Sequence, residues 1–287
     1  MDEVAMSPDP LKEAFVYEHE AMNTKFTIRL VGMDDHSARS LAQLCIERID
    51  LLEGLLSRFR DGSDVSRINT LPQGETLYIS DDCHECLIQA MRASQQTHGL
   101  FDITLGSRIE HRKEQKDGPL PELQGRIQIH PDEPAVTCDE PGRVIDLGGI
   151  GKGFALDQLR HLLVDWKAGG ALLTAGASSM LSYGSTPWPI DLGGADGEQR
   201  IQLEGLTLSA SGTGIQGSHL IHPWGEEAMP EKPCERVWVV ADSAAMAEVW
   251  STALMLIEPE EFEEALAQAE GVQEVHAQRD GKVWRVL

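Results

Sequence analysis

The sequence has little positive charge. Its 24 lysine and arginine residues are outnumbered by 47 aspartate and glutamate residues, and the formal net charge at pH 7 is -23. Such a chain repels the phosphate backbone of nucleic acids and anionic lipid headgroups, so we expect neither as a partner. If the ligand is an anionic nucleotide, a metal ion or a well-placed lysine or arginine must supply the attraction locally.

Cysteine is also scarce. The five cysteines, an odd number at scattered positions, do not form the pattern of a disulfide framework. Cys83 and Cys86 make a Cys-x-x-Cys motif at the predicted start of a helix, where the helix N-terminus would stabilise a thiolate. A redox role and ordinary packing are both open for this pair. Packing is favoured because no second pair of Cys or His at zinc spacing accompanies it.

Long hydrophobic runs are absent. No window approaches the roughly 20 apolar residues of a membrane-spanning helix, and the first residues show neither a basic and apolar leader pattern nor a cysteine that could accept a lipid. We therefore expect a cytoplasmic protein without a membrane anchor. Residues 1–14 are acidic and lack periodicity, which predicts a flexible tail. No change of composition divides residues 15–287, which we expect to form a single domain.

The hydrophobic pattern predicts an α+β fold with antiparallel sheets and interleaved helices. Alternation of period two predicts a strand over 25–30 after a turn at 22–24. A strand is also expected over 143–147, and further short strands follow from 171 to 238 and near the C-terminus. Periodicity and capping residues predict helices over 35–59, 80–97, 154–164, 243–257 and 259–270. Hairpins separated by single helices, rather than regular βαβ units, indicate antiparallel pairing.

Residues 145–155, with the sequence IDLGGIGKGFA, place four glycines and a lysine at a predicted helix start. A P-loop would need glycine at Asp146 and Ser or Thr at Gly153, and a dinucleotide-binding GxGxxG would need glycine at Phe154. Neither motif fits. The glycines still allow close approach of the main chain to a ligand, and Lys152 adds a positive charge beside the helix N-terminus. A glycine-rich turn with a solvated lysine is an equally good interpretation of this segment alone.

The same segment resembles the signature of the FAD:protein FMN transferase (ApbE-like) family, and further segments resemble that family's motifs in the same order. They are MNT at 22–24, LSRFRDGSDVSRIN at 56–69, FDIT at 101–104, LLTAG at 172–176, SG at 211–212, HLIHP at 219–223 and SAAMAEVWSTAL at 243–254. The resemblance implies an α+β, T-fold-related architecture. It also implies an Mg²⁺-dependent enzyme that moves FMN from FAD onto a Thr or Ser hydroxyl of an acceptor flavoprotein and releases AMP.

The resemblance assigns a metal site and a catalytic residue. Mg²⁺ would be held by the main-chain carbonyl of Gly149 and the side chains of Glu248 and Thr252. The latter two lie four residues apart on one predicted helix, so their oxygens can face the same ion, and oxygen donors suit Mg²⁺. His219 would stand by the reacting phosphate as a proton carrier or orienting group. Without the resemblance, a solvated Glu, a packed Thr and a structural His are the simpler interpretations.

The resemblance also assigns residues that bind FAD. Lys152 would lie near the pyrophosphate, Met22 and Phe59 would flank the flavin, and the segment from Leu100 to Asp102 would line the cleft. The full predicted set is Met22, Phe59, Leu100, Phe101, Asp102, Asp146, Lys152, Ala175, Gly176 and Ile221. Ordinary core packing is the alternative for the apolar members, and a cap or turn role is the alternative for the two aspartates.

Several positions depart from the family pattern close to the expected site. Glu248 stands where the family has a metal-binding aspartate, and the family's HIIDPR has become HLIHPW, with His222 and Trp224 as the changed residues. Asn23 replaces a glycine, and Ala177 begins the segment that replaces Gly-Asp. These changes leave a second function open, that of a relative which binds or hydrolyses FAD without flavinylating a protein. Similarity of fold alone is the third possibility.

Overall fold

The protein is represented by a computed structural model that describes residues 10–116, 118–193, 199–213 and 220–287. The helices in chain order are α1 Pro10–Glu13, α2 Asp35–Leu56, α3 Asp64–Asn69, α4 Asp81–Gln96, α5 Gly106–Lys113, α6 Gly151–Asp165, α7 Ala244–Leu254 and α8 Phe262–Leu266. The strands are β1 Phe15–Ala21, β2 Thr24–Val31, β3 Thr76–Tyr78, β4 Arg126–Ile129, β5 Ala135–Glu140, β6 Gly170–Ala175, β7 Ser179–Tyr183, β8 Trp188–Gly193, β9 Gln199–Leu203, β10 Thr207–Gly212, β11 Arg236–Ala241, β12 Val272–Arg279 and β13 Lys282–Arg285.

Eight strands form one antiparallel sheet in the order β1-β2-β6-β7-β10-β11-β12-β13. The β1–β2 hairpin turns at Met22 and Asn23, whose φ angles of 49° and 55° are those of a two-residue hairpin turn. Strands β3, β5 and β4 form a second small sheet, and β8 and β9 a separate hairpin. The predicted α+β class with antiparallel sheets is confirmed.

The large sheet is covered on both faces, as the alternation of its side chains shows. On β6, Leu173 belongs to the core that includes residues of α2 and α6, whereas its neighbour Leu172 packs on the other face against Trp188 of β8. Neighbouring residues of β11 also face opposite sides of the sheet. Val239 lies in the core beside α7, and Trp238 lies in the core beside β8. Period two thus distributes adjacent apolar residues between two cores.

Helices α6 and α7 meet at their N-terminal ends. A Cβ on Gly153 would lie 2.3 Å from the main-chain oxygen of Ala244, so only glycine permits this approach. The carboxylate of Asp157 accepts hydrogen bonds from the N–H groups of Ala244 (2.9 Å) and Ala245 (3.0 Å). It also accepts one from the Ser243 hydroxyl at 2.7 Å. Asp157 thereby caps α7 from a neighbouring helix and fixes the two helices relative to each other.

The strand predicted over 143–147 is wrong. This segment makes only a single parallel bridge, between Val144 and Leu105. The main-chain N–H and C=O of Ile145 instead bond to the side-chain amide of Asn69, at 2.7 and 3.0 Å. Because a side chain takes these main-chain groups, no neighbouring strand is needed to satisfy them.

Other boundaries also differ from the sequence prediction. The helix expected over 259–270 is a 3₁₀ turn, Pro259–Glu261, followed by the short α8, and α2 ends at Leu56 rather than at 59. Helices α3 and α5 were not predicted because they are too short for a clear apolar stripe.

The predicted tail contains the one-turn helix α1, while residues 1–9 lie outside the described chain. The extent of a single domain over 15–287 stays a prediction. Across the parts described, no helix is both long and apolar enough to span a membrane.

The close approach of α6 and α7 predicts a large effect of Gly153→Ala. The new Cβ would overlap main-chain atoms that cannot rotate away, so we expect the free energy of unfolding to fall by about 1–3 kcal/mol. Gly54→Ala in α2 is the matched control, because nothing lies within 4 Å of its added Cβ. That variant should keep or gain stability, by up to about 1 kcal/mol. Urea denaturation of both variants measures the difference, and equal stabilities would contradict the packing described here.

Candidate active site

A cavity of about 270 Å³ opens between the start of α6, the helices α5 and α7 and the strand β10. It collects most of the residues predicted from the sequence. Those that line it are Leu100, Phe101, Asp102, Asp146, Gly149, Lys152, Gly176, Ile221, Glu248 and Thr252. The three predicted metal ligands and the predicted pyrophosphate-binding lysine therefore share one cavity.

The glycine-rich loop before α6 is held in place by buried polar contacts. The Asp146 carboxylate accepts a hydrogen bond from the N–H of Gly148 at 2.7 Å, and its other oxygen lies 2.8 Å from Nε of Arg58. The N–H of Asp146 itself donates to the carbonyl of Ile103. Asp146 lines the cavity, and one oxygen of its carboxylate shapes the loop through the Gly148 N–H, as the cap or turn alternative requires. The other oxygen contacts Arg58 as an ion pair and accepts no hydrogen bond among the described residues. A role of Asp146 in binding FAD stays a prediction.

Arg58 is the cation that balances this buried carboxylate. The side chains of Arg58 and Asp146 are each only 7% exposed, and Arg58 also contacts Glu110 of α5 at 3.1 Å. Its guanidinium lies 4.4 Å from the centre of the Phe59 ring. Arg58 stands within a segment that the resemblance covers, but was not among the predicted site residues. The arginine ties α5 to the loop that begins the cavity.

Lys152 and Glu248 form a buried ion pair at the base of the cavity. The Lys152 ammonium donates to Oε1 of Glu248 and lies 3.3 Å from the carbonyl of Gly148. Oε2 of Glu248 accepts the main-chain N–H of Gly153 at 2.7 Å. In the free protein, therefore, the positive charge of Lys152 is balanced by the predicted metal-binding carboxylate.

A group of hydroxyls surrounds Thr252. Its Oγ1 donates to the main-chain oxygen of Glu248 at 2.9 Å and lies 3.2 Å from the hydroxyl of Ser211 on β10. Ser211 also lies 3.0 Å from the hydroxyl of Ser251. Ser211 fixes the direction in which Thr252 presents its oxygen. The Ser-Gly pair at 211–212 was part of the resemblance, so a signal for this residue was present.

Apolar side chains form the wall that faces the glycine loop. A Cβ on Gly149 would lie 3.1 Å from the ring of Phe101, so the ring packs directly against this glycine. Leu100 and Ile221 add to the apolar surface. Asp102 lines the cavity and also accepts the N–H of Thr104 at 2.7 Å, so the turn role holds for it as well.

Four predicted residues do not line the cavity or cannot be placed. Met22 lies in the β1–β2 turn, where its N–H donates to Glu53 at 2.7 Å, and Phe59 is 73% exposed. Ala175 is fully buried in β6, next to the cavity-lining Gly176. His219, the predicted catalytic residue, lies outside the described residues.

The structure adds cavity residues that the sequence did not predict. They come mainly from β10 and from α5, whose short length hid its periodicity. The additional lining residues are Thr24, Leu105, Ile109, Lys113, Gly148, Ala177, Ser178, Ser209, Ala210, Ser211, Gly212, Leu220 and Leu256. No motif marked Ile109 or Lys113, and only the packing of α5 brings them to the cavity.

The three predicted metal ligands suit a hard cation. A carboxylate from Glu248, a hydroxyl from Thr252 and a main-chain carbonyl from Gly149 are the oxygen donors that Mg²⁺ prefers. Within the described ranges there is no group of three or more His, Cys, Asp or Glu side chains placed to hold a metal. A site here would therefore depend on hydroxyl and carbonyl oxygens and on bound water in addition to one carboxylate.

The structure favours packing over a redox role for the Cys-x-x-Cys motif. All five cysteines are buried and unpaired. Burial raises the pKa of the Cys86 thiol well above its ordinary value, and burial with the nearby carboxylates of Asp64 and Asp82 does the same for Cys83. A redox thiol needs an accessible thiolate. Both cysteines instead pack into the main core.

The family model described as the ApbE family matches residues 22–276. The chain belongs to the ApbE family. The matched range contains every cavity-lining segment described above, from Thr24 to Leu256.

Curated relatives are distant, but the similarity covers most of both chains. A protein named FAD:protein FMN transferase from Klebsiella pneumoniae (strain 342) is 23% identical over 303 aligned positions, which cover 93% of this chain and 85% of the relative. One of the same name from Escherichia coli (strain K12) is 24% identical over 295 positions, covering 90% and 84%.

Solved structures of the family share the fold. The flavinyl transferase ApbE of Pseudomonas stutzeri in its apo form superposes with a TM-score of 0.79 at 22% identity, covering 95% of this chain and 94% of that one. The flavin transferase ApbE of Vibrio cholerae gives a TM-score of 0.80 at 19% identity, covering 95% and 97%. At these identities the likeness establishes the architecture.

The Arg58–Asp146 pair predicts a strong thermodynamic coupling. Arg58→Met leaves the Asp146 carboxylate buried without its cation, so we expect the free energy of unfolding to fall by about 3 kcal/mol. Asp146→Asn removes that unbalanced charge, and the double variant should recover about 1–3 kcal/mol relative to the sum of the single changes. Arg39→Met is the control, because Arg39 lies on the exposed face of α2. Its free energy of unfolding should change by no more than about 0.5 kcal/mol. Additive effects of the two buried changes would rule out the ion pair.

Burial of the cysteines predicts that they are inert in the folded protein. At neutral pH, Ellman's reagent should react with none of them at an appreciable rate, because all five thiols are buried, and burial also raises the pKa of Cys45, Cys83, Cys86 and Cys234. In denaturant all five should react, and the rate should follow unfolding. Rapid labelling of Cys83 in the native protein, located by mass spectrometry, would restore the redox interpretation.

Proposed function

We propose that this chain is an Mg²⁺-dependent transferase that moves FMN from FAD onto a Thr or Ser hydroxyl of an acceptor flavoprotein and releases AMP. The curated relatives carry the name of this activity. The observation that carries the proposal is that one cavity joins a glycine-rich helix start, a lysine and a set of oxygen donors to an apolar wall. These are the surfaces that a flavin with a pyrophosphate requires.

The isoalloxazine ring system and the pyrophosphate of FAD suit different walls of the cavity. The flat faces of the isoalloxazine ring system are aromatic, and Leu100, Phe101 and Ile221 offer them an apolar surface. The pyrophosphate fits the loop at Gly148 and Gly149, where the main chain can approach a ligand closely. Behind this loop, Ile150 gives the N-terminus of α6 no side-chain cap, and the helix dipole favours negative charge, as the bond from the Gly153 N–H to the Glu248 carboxylate shows.

Glu248, Thr252 and the carbonyl of Gly149 would hold the Mg²⁺ ion. When bound, the ion would offset the negative charge of the pyrophosphate and of the departing AMP phosphate. Lys152 would then turn from Glu248 towards the pyrophosphate, as its predicted role requires. Ser211 keeps the Thr252 hydroxyl oriented, because its own hydroxyl lies 3.2 Å away.

The reaction itself is a phosphoryl-type transfer. The acceptor hydroxyl oxygen forms a bond to the phosphorus of the FMN half, and the bond from that phosphorus to the AMP oxygen breaks. The hydroxyl proton must leave as the new bond forms. We propose His219 as the group that accepts or orients this proton. Lys152, once turned towards the pyrophosphate, and the N-terminus of α6 supply positive charge beside the leaving phosphate.

The proposal is tested by incubating the protein with FAD and Mg²⁺, with and without EDTA and with and without an acceptor flavoprotein. AMP release and covalent flavin on the acceptor, both abolished by EDTA, are expected. FAD that is bound but stays intact with acceptor present would indicate a binding protein. FMN and AMP release without flavinylation would indicate an FAD hydrolase, and no binding of FAD would leave similarity of fold alone.

Glu248 is the residue on which the proposed metal site depends most. Glu248→Gln keeps the size of the side chain but removes its charge, so turnover at fixed Mg²⁺ should fall at least about 100-fold. The Mg²⁺ concentration needed for half-maximal rate should rise as well. Glu248→Asp retains a carboxylate and should keep measurable turnover. Glu263→Gln, an exposed position on α8, is the control for loss of one charge and should match the unmodified protein. Equal rates for Glu248→Gln and the control would remove Glu248 from the site.

A further inference from the structure

The cavity is lined by two lysines, and their surroundings differ. Lys152 is bound to Glu248 and close to the Gly148 carbonyl, so its charge is already balanced. Lys113, at the end of α5, lines the same cavity with an exposed side chain. In a chain of net charge -23, a cation that has no ion-pair partner among the described residues and lines a cavity of about 270 Å³ is a specific feature.

Helix α5 directs Lys113 into the cavity. Leu105, Ile109 and Lys113 are spaced four residues apart and all line the cavity, so they form one face of the helix. Helix α5 has eight residues and is therefore about 12 Å long. Leu105, at one end of this face, bridges to Val144 just before the glycine loop. Lys113 therefore stands at the outer end of a wall whose inner end abuts the loop.

The acidic neighbours of Lys113 on its own helix are already paired. Glu110 contacts Arg58 at 3.1 Å, and Glu114 contacts Lys116 at 2.7 Å. The position four residues before Lys113 is the apolar Ile109. Among the described residues, the side chain of Lys113 has no hydrogen-bond or ion-pair partner. Its ammonium is thus available to a ligand.

We infer that Lys113 is an FAD-binding residue at the outer end of the cavity, whose ammonium attracts the phosphate groups of the dinucleotide. The inference rests on the proposed function for the identity of the ligand. Lys113 is then an exposed positive charge at the outer end of the cavity, whereas Lys152 is paired with Glu248. It adds to the local attraction that an anionic ligand needs in so acidic a chain.

The test compares FAD with riboflavin, which has the same ring system but no phosphate. Binding to the full chain is measured by flavin fluorescence quenching and calorimetry with Mg²⁺ present and no acceptor, while AMP is monitored to verify that the FAD stays intact. Lys113→Gln should weaken FAD binding about three- to tenfold and leave riboflavin binding unchanged. Lys113→Arg should restore most of the FAD affinity. The deficit should shrink as the salt concentration rises.

Lys116→Gln is the matched control. It removes the same charge three residues away, from a side chain paired with Glu114, and should bind FAD like the unmodified chain. Equal FAD affinities for Lys113→Gln and the unmodified chain would overturn the inference and leave the proposed function intact. Equal losses for FAD and riboflavin would also overturn it, since they would indicate a change of cavity shape. An unmodified chain that binds no FAD would overturn both.

Discussion

The contact between the N-terminal ends of α6 and α7 is the constraint on which the site depends. Gly153 allows the helices to touch, and Asp157 caps α7 with three hydrogen bonds from a position on α6. The Glu248 carboxylate then reaches back to the N–H of Gly153 and to Lys152. The packing of the two helices therefore fixes the positions of the glycine loop, Lys152 and the oxygen donors relative to one another. A shift of either helix would separate all three.

Electrostatics explains why so few positive charges suffice in this acidic chain. Each basic side chain near the cavity has a separate position and task. Arg58 is buried against Asp146 and keeps the glycine loop folded, whereas Lys152 balances Glu248 at the base. Lys113 stands at the outer end of α5 without a partner among the described residues. Charges placed in this way act over a few ångströms and are little affected by the net field of the surface.

The sequence predicted the architecture and ten of the residues that line the cavity, and the failures have physical causes. The strand expected over 143–147 does not form because Asn69 takes the main-chain bonds of Ile145. Helix α5 was missed because its length gives too little periodicity, and with it Lys113 was missed. Phe59 does not line the cavity, and its exposed ring lies against the Arg58 guanidinium, so its place beside the flavin stays a prediction. Such outcomes depend on contacts between residues far apart in the chain.

By itself the sequence determined the alternation that builds the antiparallel sheet, the scarcity of positive charge, and the four-residue spacing that puts Glu248 and Thr252 on one side of a helix. These are local properties, set by backbone geometry and composition. Only the tertiary structure decided that Lys152 pairs with a carboxylate 96 residues away. It also decided that α5 forms a wall of the cavity. Packing determines such neighbours, because side chains distant in sequence meet only where helices and sheet bury their apolar faces together.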